Sequence, residues 1–133
     1  ADNLLYSNDG YSFFPASYNG GTNYHGIRTL TFCKDTFVFG TDSGEIGYST
    51  DVIDMPDSNF DMLSGVRHWI VECLRDTPHQ SHLHFDKTME WIDRVKPAHA
   101  YLTHLAPEAD YQTFLAKCPA GVEPAYDGLK ISA

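Results

Sequence analysis

Histidine is the residue type whose abundance in this chain points to chemistry. The 133 residues include seven histidines, where average usage would give about three or four. Imidazole nitrogens bind metal ions and exchange protons near neutral pH. Asp and Glu total 18 against 9 Lys and Arg, so the formal net charge is -9. An acidic, histidine-rich chain is suited to holding divalent cations, and the sequence therefore indicates metal binding.

Several of these histidines, and one aspartate, follow runs of sequence that predict β-strands. In an α/β protein, residues just past the strand ends converge at one rim of the sheet, where imidazole and carboxylate groups can ligate zinc, manganese or iron. Each residue alone has a plainer interpretation, as a surface histidine or a turn aspartate. The candidates are His25, Asp51, the cluster His79, His82 and His84, and His104, whereas His68 and His99 flank strands and are not predicted site residues.

The composition narrows the class of protein. With 42% hydrophobic and 14% aromatic residues, the chain is typical of one globular domain. No apolar run approaches the roughly 20 residues that span a bilayer, and no basic stripe could neutralise an extended nucleic acid. The widely spaced Cys33, Cys73 and Cys118 indicate reduced thiols rather than a disulfide framework. We therefore expect a cytoplasmic protein with neither a membrane nor an extended nucleic acid as partner.

The elements that must position the candidates follow from sequence periodicity. Short β-branched and aromatic runs between turn residues predict strands, and the second half alternates strands with helices, which favours an α/β fold. Predicted strands cover 29–33, 36–40, 46–49, 68–74, 98–102, a short run around Val122, and 129–131. Three helices are predicted. The first is short, capped at Asp57 or Ser58 and stopped by Gly65. The second covers 85–95, with Trp91 at the flank of an apolar face made of Phe85, Met89, Ile92 and Val95, and the third covers 107–117, with Pro107 near its first turn.

The amino-acid sequences of four segments identify a protein family more specifically than the spacing of the candidate residues does. The segments IGYSTDVIDMP, VECLRDTPHQSHLHFDKTMEWIDRVKPAHAYLTHL, DYQTFL and GVEPAYDGLKI resemble the C-terminal half of the metallo-β-lactamase superfamily. The similarity is strongest to the metal-dependent hydrolases that resemble the cyclic phosphodiesterase of phosphonate breakdown, and it covers roughly residues 22–131. The resemblance implies that 1–133 form a single, partial domain, the C-terminal half of an αββα sandwich.

The resemblance also implies roles for individual residues. His25 in YHG corresponds to a histidine on the first metal, Asp51 in YSTD to a carboxylate that bridges both metals, and His104 in LTH to a histidine on the second metal. His82 in PHQSH corresponds to an acid/base histidine beside the phosphate. The run Tyr126 to Gly128 corresponds to a closing element that borders the site.

The function implied is a metal-dependent hydrolase of phosphodiester bonds in small phosphate esters. A metal-bound hydroxide would attack phosphorus at a site with two divalent ions, zinc or manganese, while His82 and Asp51 serve catalysis. Glu72 in VECLR stands where the family usually has Asp, so we expect altered geometry around the site residues.

The superfamily's HxHxDH motif is missing from this sequence. We therefore expect the intact enzyme to need a complementing N-terminal half, removed or encoded elsewhere, or a homo-oligomer, and this chain alone to hold one metal or none. Two alternatives stay open. In the first alternative, the chain is a non-catalytic half-domain that binds or dimerises through its sheet. In the second, it is a mononuclear metal protein of the cupin kind that uses His79, His82 and His84 with His104.

Overall fold

The larger sheet of this computed structural model positions Asp51 and His104, which follow two of its strands. The structure describes residues 4–6, 14–16, 27–33, 36–41 and 46–131, with side chains from 46 onward. Within these ranges, two short antiparallel strands, β1 (Leu4–Tyr6) and β2 (Phe14–Ala16), form one sheet. The second sheet has six strands in the order β3-β4-β5-β6-β7-β8, so each strand lies beside its sequence neighbour.

This second sheet is antiparallel at its start and parallel afterwards. Strands β3, β4 and β5 form an antiparallel meander, whereas β5 to β8 run parallel. Each parallel connection contains one helix. In chain order the elements are β3 (Ile27–Cys33), β4 (Thr36–Thr41), β5 (Ile46–Ser49), α1 (Asp57–Leu63), β6 (His68–Glu72), α2 (Phe85–Val95), β7 (His99–Thr103), α3 (Tyr111–Lys117) and β8 (Val122–Pro124). The α/β prediction is confirmed.

The three helices cover the same face of the parallel strands. Successive crossovers of one hand between neighbouring parallel strands place their helices on one side of a sheet. Trp69 and Val71, which point to one face of β6, belong to the same buried cluster as the helical residues Leu63, Trp91 and Phe114. The contact is close, because a Cβ at Gly47 of β5 would lie 2.7 Å from Cδ2 of Leu63. Gly47 therefore lets α1 approach the sheet.

The predicted helix over 85–95 is confirmed as α2, and its buried face matches the predicted one only in part, since Val95 is buried as expected. Trp91, expected at the flank, is 3% exposed and lies in the core with Thr88 and Val95. Phe85, Met89 and Ile92 are only partly buried against that core. The apolar stripe is wider than the face that meets the sheet, so the hydrophobic pattern alone does not fix the helix rotation.

Predictions for three element ends are wrong for local reasons. Helix α1 begins at Asp57 after Pro56, without a side-chain cap, although Gly65 with φ 77° follows its end as expected. Helix α3 begins at Tyr111 rather than near Pro107, because the Asp110 carboxylate accepts the Thr113 N–H at 2.8 Å. Residues 129–131 form no strand, since Tyr126 O accepts the Leu129 N–H at 3.0 Å in a turn.

Within the described ranges, none of the helices has the length and apolar character needed to cross a membrane.

Candidate metal site

Three side chains with metal-ligating atoms meet at the carboxyl edge of the parallel strands. Asp51 follows β5, His104 follows β7 directly, and His82 lies on the segment between β6 and α2. One donor atom from each residue lies within 4.8 Å of the other two. Parallel strands end at a common edge, and this geometry brings together residues that are far apart in sequence.

Backbone hydrogen bonds tie the three loops to one another. The Leu83 N–H donates to Val52 O at 3.0 Å, the Leu74 N–H donates to Leu83 O at 2.9 Å, and the Ala106 N–H donates to Leu74 O at 2.8 Å. Val52 is adjacent to Asp51, Leu83 is adjacent to His82, and Ala106 is close to His104 in sequence. The rim therefore has a hydrogen-bonded backbone frame that fixes the loops independently of the donor side chains.

Two of the donors occupy an unusual backbone conformation. Asp51 has φ 57° and His104 has φ 59°, both in the left-handed region. Non-glycine residues seldom adopt this conformation, and where they do the surrounding structure must hold them in it. Both residues stand where a strand ends and the chain turns, so the left-handed backbone turns each donor to the rim.

Glu72, the last residue of β6, is the buried carboxylate behind this group. It is 0% exposed, and its Oε1 lies 2.6 Å from Nδ1 of His82. Its Oε2 accepts the backbone N–H of Val52, and its backbone carbonyl accepts the Thr88 hydroxyl at 2.8 Å. Burial raises the pKa of Glu72, while the hydrogen bonds from Val52 and His82 act in the opposite direction.

The Glu72 contact determines which nitrogen of His82 is available. An ionised carboxylate only accepts hydrogen bonds, so Nδ1 carries the proton that faces Glu72. Nε2 is then the nitrogen left for a metal or for proton transfer. Carboxylate partners orient imidazoles in metal and catalytic sites in this way. His82 Nδ1 also lies 3.4 Å from Oδ1 of Asp51, which places His82 between the two carboxylates.

The loop before His82 is held by its own contacts. The Arg75 guanidinium donates to the carbonyls of Thr77 at 3.2 Å and of Pro78 at 3.0 Å. The rings of His79 and His82 are 4.9 Å apart, and those of His82 and His104 are 5.0 Å apart. The rim thus carries three imidazoles, with the ring of His82 next to both of the others.

The group is accessible from solvent. The Asp51 side chain is 61% exposed and that of His82 is 20% exposed, and His104 is exposed as well. One carboxylate and two imidazoles match the ligands that zinc and other first-row divalent ions take in proteins. Reactants could therefore reach a cation held by these residues directly.

The structure places the predicted site residues in three groups. Asp51, His82 and His104 lie together, as the sequence hypothesis required. His25 lies outside the described residues. In the part of the chain from 46 to 131, His79 and His84 do not join the donor cluster, so the cluster does not match the four-histidine mononuclear alternative. His84 instead precedes α2 at its N-cap position.

Two further histidines lie elsewhere, and the partner of Glu72 was not predicted. His68 and His99 begin β6 and β7, at the opposite edge of the sheet, where their rings stack at 5.3 Å. Sequence analysis did not predict that Glu72 would contact His82. The available signal was a carboxylate within the buried run HWIVEC, since a buried carboxylate needs hydrogen-bonding partners.

Comparisons with known proteins agree with the observed fold. A family model described as the beta-lactamase superfamily domain matches residues 10–105. Among solved structures, the chain is similar to one titled "Crystal Structure of a New Diphosphatase from the PhnP Family", with a TM-score of 0.69 and 29% identity. The match covers 73% of this chain and 38% of that one, so this chain spans well under half of the solved relative. A search of the curated proteins returned no match.

Proposed function

Because the chain belongs to the beta-lactamase superfamily, we propose that it functions as a metal-dependent hydrolase of phosphodiester bonds in small phosphate esters. The observation that carries the proposal is the cluster of Asp51, His82 and His104, whose donor atoms lie within 4.8 Å of one another. The solved relative named a diphosphatase supports phosphorus as the centre attacked. The proposal concerns the protein in the form that supplies any metal-ligating residues needed beyond Asp51, His82 and His104.

The residues present fit a divalent cation. Asp51 offers a carboxylate and His104 an imidazole, and both are exposed at the rim with their backbones held in the left-handed conformation. Hard and borderline cations such as manganese and zinc accept this combination of oxygen and nitrogen. When bound, the cation supplies Lewis-acid activation of water and of a phosphoryl oxygen. A second cation would need His25 and other donors in addition.

His82 is proposed to transfer a proton to the leaving group. Nδ1 of His82 lies 2.6 Å from Oε1 of Glu72, which accepts the Nδ1 proton. In the proposed step a doubly protonated His82 gives its Nε2 proton to the leaving ester oxygen and is left neutral, with the remaining proton on Nδ1. Because His82 lies beside both Asp51 and His104, an ester bound at a cation on those two residues would lie close to the imidazole. His82 is 20% exposed, so the proton can be replaced from solvent.

The charge of the chain is compatible with an anionic substrate only if cations are present. A formal charge of -9 repels phosphate esters over the whole surface. Divalent ions at Asp51 and His104 would reverse the local sign at the rim. The proposal therefore predicts that removing metal abolishes substrate binding as well as turnover.

The test is metal content together with hydrolysis of bis(p-nitrophenyl) phosphate by the protein in the form that supplies the further donors. Wild type is expected to bind zinc or manganese and to hydrolyse the ester, and His104→Ala is expected to lose both. His99→Ala is the matched control, since His99 is an exposed histidine at the opposite sheet edge. Equal activity of wild type and His104→Ala would overturn the assignment. Absence of metal and hydrolysis in wild type would also overturn it and favour a non-catalytic binding module.

A further inference from the structure

A cleft at the same edge of the sheet borders the proposed metal site. It lies between the ends of β7 and β8, where the Ala125 N–H donates to Leu102 O at 2.8 Å. Its volume is about 270 Å³, and its lining includes His104, Leu105, Tyr126 and Asp127. His104 belongs both to this cleft and to the donor cluster, so the cleft opens beside the proposed metal site.

Tyr126 gives this cleft an exposed aromatic wall. It is 54% exposed, the highest value among the large hydrophobic residues of the part that the structure describes. Its ring is nonetheless fixed in place, because Tyr111 meets it at 83° with 5.9 Å between the ring centres. The backbone of Tyr126 is fixed as well, since its carbonyl accepts the Leu129 N–H at 3.0 Å and Gly128 turns the chain with φ 90°. An oriented, solvent-facing ring is a stacking surface.

Asp127 determines which part of a ligand the cleft accepts. Its carboxylate is exposed and has no hydrogen-bond partner among residues 46–131. A negative charge at this position repels a phosphoryl group and leaves an acceptor for a hydroxyl or amino group. The phosphoryl group is thus directed to the His104 end of the cleft, and a neutral portion of the ligand to the Tyr126 end.

We propose that this cleft binds a flat aromatic ring system carried by the phosphate ester, of the nucleobase kind, through stacking on Tyr126. The proposal rests on the proposed function, because it takes the phosphoryl group to lie at Asp51 and His104. The cleft is slightly smaller than the roughly 300 Å³ at which whole-ligand pockets begin, so it suits one portion of a ligand rather than all of it. Tyr126 is then a specificity-determining residue.

The test compares ligands with and without the ring on the metal-loaded full chain. Adenosine 5′-monophosphate is expected to bind at least about 5-fold more tightly than ribose 5-phosphate by calorimetric titration, since stacking of one base on an aromatic residue has about this effect or more. Tyr126→Leu is expected to remove the preference, and Tyr126→Phe to keep it. Leu115→Ala, at an exposed position of α3 outside the cleft lining, is the control and should change nothing.

Two outcomes would overturn the proposal: equal affinity of wild type for the two phosphates, or an undiminished preference in Tyr126→Leu. Failure of the proposed function gives a different result, namely no hydrolysis with the binding preference intact. If the chain holds no metal, adenosine and ribose provide the same comparison without a phosphate. Preference for adenosine that depends on Tyr126 would then support the cleft alone.

Discussion

Nδ1 of His82 lies 2.6 Å from Oε1 of Glu72, and the other oxygen of this carboxylate accepts the backbone N–H of Val52. One buried side chain thereby joins the loop that carries Asp51 to the imidazole proposed to transfer the proton. The His82 imidazole and the loop that carries Asp51 and Val52 therefore both depend on Glu72, whose side chain is fully buried. Its position on β6 makes Glu72 a positioning residue for His82.

Replacing Glu72 by Gln should reverse the protonation of His82. If the Gln oxygen accepts the Val52 N–H, its amide nitrogen faces Nδ1 and donates to it, which moves the imidazole proton to Nε2. Gln cannot accept a proton from Nδ1 at the same time, so the doubly protonated imidazole that the proposed proton transfer needs is disfavoured. We expect kcat/KM for bis(p-nitrophenyl) phosphate to fall about 10- to 100-fold. Nitrogen NMR of His82 would show the changed tautomer directly. Glu90→Gln, at an exposed position of α2, is the control, and full activity of Glu72→Gln would contradict the positioning role.

The left-handed backbone at Asp51 and His104 predicts an unusual order of stability. At both positions Gly should give a more stable protein than Ala, by about 1 kcal/mol, because Ala is strained at φ near 57° and 59° and Gly is not. Thermal unfolding of the metal-free variants measures this difference. Gly and Ala variants of Asp61, an exposed residue of helix α1, should show the opposite order. Ala variants as stable as the Gly variants would show that these backbones relax.

Asn59 offers a route to higher stability. Its amide is 1% exposed, and neither its nitrogen nor its oxygen has a hydrogen-bond partner within the described chain. A buried amide without a partner costs about 1–3 kcal/mol. Leu has nearly the same shape, so Asn59→Leu should raise the free energy of unfolding by about 1 kcal/mol or more. Chemical denaturation would measure it, and Asn59→Ala, which leaves a cavity, should be less stable than Asn59→Leu.

Cys73 should be inert while the protein is folded. Burial raises the pKa of its thiol to about 12 from 9.0, and the side chain is 0% exposed. In a variant with Cys33→Ser and Cys118→Ser, iodoacetamide at pH 8.5 should leave Cys73 unmodified until denaturant is added. Rapid alkylation of the native variant would contradict the burial.

The same shift fixes the sign of a pH dependence. The folded pKa lies above the unfolded one, so between pH 9.0 and about 12 the folded state retains the proton that the unfolded state has lost. Stability from this group is complete below pH 9 and falls as the pH rises through that range. Cys73→Ala should show a shallower decline over the same range.

Much of the fold could be predicted from local patterns. Helix α2 was predicted to the residue because its apolar spacing is clear and Pro97 follows its end. Its rotation was not, because Trp91 and Ile92 are both apolar and only packing against the sheet decides which one is buried. The start of α3 depends on the Asp110 carboxylate, which accepts hydrogen bonds from the Thr113 N–H and hydroxyl and competes with Pro107 as a start signal.

Part of the candidate metal site could also be predicted, from sheet topology rather than from local sequence patterns. Asp51 and His104 follow strands, so the rule that parallel strand ends converge is enough to place them together. Glu72 lies inside a strand, and nothing in its sequence neighbours shows that its side chain reaches His82 across a separation of 10 residues. The contact depends on how the 73–84 segment folds back, which the tertiary hydrogen bonds of Leu74 and Leu83 decide.

Backbone hydrogen bonds tie the loops of the rim together at Val52, Leu83, Leu74 and Ala106. These bonds affect how the metal-ligating residues can change during evolution. Each bond uses main-chain atoms, which every amino acid except proline supplies in full. A mutation at Asp51 or His82 therefore alters the group presented without removing the scaffold that presents it. The loop backbone can therefore stay the same while the metal-ligating side chains are substituted. Natural selection or protein engineering could in this way change which metal ion the rim prefers.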